Sequence, residues 1–159
     1  MRSLFSIVCA LLIVTLPATA LEPVLPIRLA IVVSPDVSVR NFSPGDLRRV
    51  FLGQISRWPN GHRITIFVPP PSSPEGHLFL DRVVRMSDID YSQWWIGAVF
   101  RGDASATPRV IDGSHAMVRS VVMTPDAIGL VAFPSVTPDV TVVTIAGKAP
   151  GDPHYSLTR

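Results

Sequence analysis

Asp112, Ser114 and His115 crowd into four consecutive positions and supply the residue types of a hydrolase triad. A serine followed directly by histidine does not in general set the imidazole on its own hydroxyl, and no Gly-x-Ser-x-Gly elbow occurs. Ser114 fits better as the N-cap of a helix ending near Met123, because Pro125 follows. The four histidines, at 62, 77, 115 and 154, show no paired ligand spacing. No phosphate-loop or dinucleotide glycine pattern is present, so no cofactor is implied. Trp94-Trp95 could stack on a ligand, but their helical setting assigns them to a core. The chemistry-bearing residues thus argue against an enzyme and against a metal centre.

The N-terminus has a different message. Arg2 followed by the apolar run Leu4 to Leu16 and by Ala18-Thr19-Ala20 reads as a secretory signal peptide with an A-x-A cleavage site. The apolar run is too short to span a bilayer comfortably, so no stable membrane insertion is expected after cleavage near Ala20. The expected product is exported and starts at Leu21. Cys9, the one cysteine, lies inside the signal. Its removal excludes a disulfide framework, a thiolate metal site and a cysteine nucleophile.

Residues 21–159 are enough for one domain and too few for two. The formal charge of +2 falls to +1 without Arg2, and no basic cluster exists, so nucleic acid is not an expected partner. Strands and helices alternate. Ile27 to Val33 is a nearly continuous apolar run, as in a strand buried on both faces. Ser43 caps a helix with Pro44 at its first position, and Leu47, Val50 and Phe51 fall at helical spacing before Gly53 stops it. A Trp58-Pro59-Asn60-Gly61 corner leads into a strand from Arg63 to Val68. Ser73-Pro74 opens the next helix, which runs to about Met86, and Ser87 with Asp90 opens another. A short extended piece covers 109–111; two more strands cover 127–133 and 140–145. The pattern predicts an α/β domain over 21–147, a mostly parallel sheet flanked by helices, followed by a loose tail over 148–159.

Leu47, Val50, Phe51, Gly53, Ile55 and Trp58 fit the form Leu-x-x-Ile/Val-Phe-x-Gly-x-Ile-x-x-Trp. Trp94-Trp95, Phe100-Arg101-Gly102 and Pro125-Asp-Ala-Ile-Gly-Leu-Val131 follow in order. This series resembles the phosphate-binding receptors of ABC transporters, periplasmic solute-binding proteins of the PBP-like type II fold, over about residues 42–133. Asp126 stands where the family has glycine, and Leu130 where it has tyrosine. The resemblance implies one lobe of that fold.

It also implies a ligand. In the family an Arg-x-x-x-Ser-Gly-Thr-like loop at a helix start holds an oxyanion, where unpaired N–H groups and the positive dipole end converge. The matching place is Ser72, Ser73, Gly76 and His77, with Arg63 or Arg101 as the guanidinium fork. Pro74 lacks an N–H, Glu75 adds negative charge, and Pro69-Pro70-Pro71 replaces the arginine-bearing approach. The resemblance therefore implies a periplasmic solute-binding module for phosphate or a similar oxyanion, serving ABC-type uptake or sensing. The alternative is a non-catalytic module that has kept the fold, lost the ligand site, and contacts an envelope protein or a second copy of itself.

Overall fold

The computed structural model describes residues 26–159; the signal peptide expected over residues 1–20 lies outside them. Among the described residues no helix is long and apolar enough to cross a membrane. The strands are β1 (Leu29–Val33), β2 (Asn41–Phe42), β3 (Thr65–Val68), β4 (Arg109–Val110), β5 (Ala127–Ala132) and β6 (Thr141–Ile145). The helices are α1 (Pro44–Phe51), α2 (Pro74–Leu78), α3 (Asp88–Phe100) and α4 (Ser114–Met123). One six-stranded sheet runs in the order β2-β6-β1-β5-β3-β4. β1 is antiparallel to both its neighbours, β5 and β6, while the other three pairings are parallel. A single reversed strand therefore sits inside an otherwise unidirectional sheet, as expected for a mostly parallel one.

All five residues of β1 are buried because both sheet faces are covered. Leu29, Ile31 and Val33 join Val50, Phe51, Phe79 and Trp95 on one side, and Ala30 and Val32 join Met117, Val118 and Val121 on the other. This alternation is the two-residue period of a strand read out on two cores. The connection from β3 to β4 steps outward across the sheet, and the connection from β4 to β5 steps back inward. A shared right-handed crossover rule then sends the intervening helices to opposite faces. α4 accordingly lies alone on one side, with α1, α2 and α3 on the other.

Three serine caps form as the spacing predicts. Ser43, Ser73 and Ser87 accept from the amides of Asp46, Gly76 and Asp90 at 3.0, 2.9 and 3.1 Å. Two expectations need correction. The helix expected to run from Ser73 to Met86 changes character at Phe79, where a wider π-helical segment, Phe79–Val84, takes over and ends at Arg85 with φ 54°. The tail over 148–159 is not loose. Tyr155 and Leu157 are buried in the first core, and the Leu29 and Arg159 amides donate to Leu157 and Ile27 carbonyls, both at 3.0 Å. Burial of two large apolar side chains outweighs the polar composition that marked the segment as mobile.

Asp126, in the left-handed region at φ 58°, is a hydrogen-bond hub at the start of β5. Its carbonyl accepts from Trp58 Nε1 and the Thr65 amide, its amide donates to Asp36 Oδ2 at 3.1 Å, and its Oδ2 lies 3.0 Å from His62 Nδ1. The Ser34 hydroxyl, followed by the Asp126 amide, holds the Asp36 carboxyl below its ordinary value. A carboxylate with a depressed folded pKa stabilises the fold above its unfolded pKa, and the gain is lost as pH falls through the folded pKa. Asp36→Asn should therefore be less stable than the parent at neutral pH. The gap should close only below the usual carboxylate range of about pH 4. Urea unfolding across pH checks this; a gap independent of pH would exclude the carboxylate as its source.

Candidate functional site

The loops after β3 and β4 lead to helices on opposite faces, so a crevice opens between them at the carboxyl ends of the strands. In open α/β sheets such a switch point is where ligands sit. Here it is a cleft of about 220 Å³ lined by Pro69, Pro70, Ser73, Pro74, Glu75, Asp112, Gly113 and Ser114, with Met117 and Leu130 also reaching it.

The β3–α2 side is closely tied to itself. The Ser73 hydroxyl donates to the Pro70 carbonyl at 2.8 Å while accepting from the Gly76 amide, and the Ser73 amide also donates to Pro70 O. The His77 amide is taken by Ser73 O, and Pro74 has no N–H. Glu75 N–H is what the first turn has left to offer, beside its own carboxylate. Gly76 is buried against Pro70, and a Cβ at this position would lie 1.9 Å from the Pro70 carbonyl oxygen. Its role is close backbone approach. Ser72 and His77 are exposed, and neither is among the residues that line the cleft.

The arginines do not join this turn. Arg63 precedes β3 and Ser73 follows it, so a strand roughly 13 Å long separates the two ends. Arg63 instead hydrogen-bonds Ser105 in the loop after α3, and lines a separate cleft of about 370 Å³ with Ser56, Thr65 and residues of that loop. Arg101 ends α3 and pairs with Asp103 at 2.8 Å on the surface. The expected set of six thus divides: Ser72, Ser73, Gly76 and His77 share one turn, and the guanidinium fork is elsewhere. Strand and helix direction govern which end of the sheet each arginine occupies.

The β4–α4 side was not anticipated as a ligand surface. Gly113, at φ 82°, is the N-cap of α4, and no side-chain acceptor caps this helix. Ser114, expected as the cap, is the first helical residue, and its hydroxyl accepts weakly from the Ala132 amide at 3.4 Å. A ten-residue helix therefore directs uncapped N–H groups toward the cleft, where the dipole favours negative charge. Asp112-Gly113-Ser114 after a short strand was the sequence signal for it. Asp112 and His115 are exposed, and no hydrogen bond joins Ser114 to His115 among the described residues. Nor does any group of three or more His, Cys, Asp or Glu there assemble as a metal site.

No protein-family model matches the chain. It is 28% identical over 129 residues to the phosphate-binding protein PstS of Bacillus subtilis (strain 168), covering 78% of this chain and 38% of that one. Among solved structures it is similar to an ABC-type phosphate transport receptor from Vibrio cholerae, with a TM-score of 0.68 and 22% identity over 84% of this chain and 54% of the receptor. PstS from Borrelia burgdorferi gives a TM-score of 0.65 at 14% identity, over 84% of this chain and 55% of that one. A putative phosphate ABC transporter substrate-binding protein from Clostridium perfringens, solved with bound phosphate, gives 0.63 at 17% identity, over 78% and 47%. The chain spans about half the length of these solved receptors and less of the curated one. Its mixed α/β fold is thus that of part of a PBP-like phosphate receptor.

Proposed function

We propose that the chain is an exported, non-catalytic solute-binding-protein-like module whose ligand class is phosphate or a similar small oxyanion. The observation that carries this reading is the cleft between the β3–α2 and β4–α4 loops, at the switch point of a sheet shaped like those of phosphate receptors. The uncapped start of α4 and the Ser114 hydroxyl are the donors assigned to the anion. Glu75 and Asp112 oppose a multiply charged anion. ABC-type uptake or sensing in the periplasm is the setting that the named relatives and the signal-like N-terminus support.

A second reading has its own observation. The α2 turn, which holds the anion in the resembling family, has spent its donors, the Glu75 N–H excepted, on Pro70 and on its own first turn. A module of this shape without a ligand would work by contacting another envelope protein.

Thermal unfolding in phosphate against chloride of equal ionic strength separates the two. Saturation a hundredfold over Kd stabilises by about 2.7 kcal/mol, which raises Tm by several degrees. Under the first reading phosphate raises Tm and Ser114→Ala shrinks the increment, while Ser73→Ala lowers the baseline by the loss of a cap, about 1 kcal/mol. No shift and no calorimetric heat would leave the second reading.

A further inference from the structure

α3 is apolar on two opposite sides. Tyr91, Trp95 and Ala98 face the core and are buried. Ile89, Ile96 and Phe100 point the other way and are 68%, 67% and 89% exposed. At about 100° per residue, Ile89, Gln93, Ile96 and Phe100 fall on one strip roughly 60° wide. Their four-three-four spacing is that of a seam along which two helices pack. A surface helix that needed only its own core would be polar along this strip. Val110 on the edge strand β4, 57% exposed, continues the apolar surface, and between it and Ile96 lies an open depression of about 240 Å³.

The charges beside the strip select the occupant. Asp90 in the first turn of α3 and Arg101 just past its end lie about three turns apart on the same flank. A two-fold axis passing beside residues 95 and 96, within the span of the strip, is equally distant from both. We propose that this strip is the contact of a two-fold homodimer in which α3 packs antiparallel against α3 of a second copy. In that arrangement Asp90 of each copy meets Arg101 of the other, at both ends of the seam. Isologous contacts require this self-complementarity, and antiparallel dipoles favour the same orientation. Within one chain Asp90 accepts from the Ser87 hydroxyl and Arg101 Nε donates to Asp103, so both are already oriented and both keep room for another partner. The depression shares Pro69 with the ligand cleft, but Ile89, Ile96 and Phe100 are not among the residues that line that cleft.

Sedimentation equilibrium of the purified chain, expressed from its full reading frame, tests it. The expected result is a monomer–dimer equilibrium at concentrations up to several hundred micromolar. Ile96→Asp should weaken it by at least about thirtyfold, the scale of a central interface residue. Phe100→Ser should act in the same direction. Both positions are exposed in the monomer, so circular dichroism and the monomer's unfolding should be unchanged. Asp90→Arg alone and Arg101→Asp alone should each weaken association at low salt, and the double variant should recover it. A monomer at every concentration overturns the proposal. So does a dimer indifferent to Ile96→Asp and Phe100→Ser, or a double variant weaker than both single ones.

Discussion

Trp58→Ala should lower the unfolding free energy by about 3–5 kcal/mol, the range for removing a large buried aromatic. Trp58 is 5% exposed, packs at 6.2 Å between ring centroids against Phe42, and donates its indole N–H to the Asp126 carbonyl at 3.0 Å. It joins the corner after α1 to the start of β5. The packing outweighs the hydrogen bond here. Asp126 O also accepts from the Thr65 amide, so losing the indole leaves no orphaned acceptor. Trp58→Phe should then cost only about 1–1.5 kcal/mol for the bond and the smaller ring. Urea titration with an unchanged m-value checks both. If Phe proves as damaging as Ala, the indole N–H is the controlling contact and the packing account fails.

Gly76→Ala should cost about 3 kcal/mol or more, at the upper end of overpacking effects. The added methyl would lie 1.9 Å from the Pro70 oxygen, 2.8 Å from its carbonyl carbon and 3.0 Å from Pro71 Cα. All three are backbone atoms in a proline-stiffened turn, and none can rotate away. The turn must open, breaking the Ser73–Pro70 hydrogen bond and enlarging the cleft. Gly45→Ala in α1 is the control. Its nearest atom is the Ser43 hydroxyl at 3.8 Å, so alanine should be neutral or stabilise by up to about 1 kcal/mol. Equal losses at both positions would mean that chain entropy, not the Pro70 contact, is responsible.

The local chemistry was legible from residues alone. Ser43, Ser73 and Ser87 cap where they were expected to, because a cap needs only a hydroxyl and an amide three positions on. The same local logic failed at Ser114, where Gly113 took the cap at a positive φ that a sequence does not display. Trp94 and Trp95 do belong mostly to the core: Trp95 is buried, and the Trp94 indole donates to the Leu52 carbonyl at 2.9 Å. Phe79 looked like one turn among others in a continuous helix. The π-helical widening there answers to packing against Phe51 and Tyr91, at 5.2 and 5.4 Å, which no local period encodes.

By itself, then, the amino-acid order determined most of the segments that become strands and helices, the short β2 excepted, where three of the helices start, and that the sheet is mainly parallel. Those features follow from interactions a few residues long and from the periods of two and 3.6. Tertiary structure decided what meets at the cleft. It brought Ser114 and the start of α4 across from Ser73 and sent Arg63 and Arg101 to the far end, because strand direction and crossover handedness act over the whole sheet. It also left Ile89, Ile96 and Phe100 facing outward. Their apolar character was visible in the sequence, but which side of α3 the core would take was not.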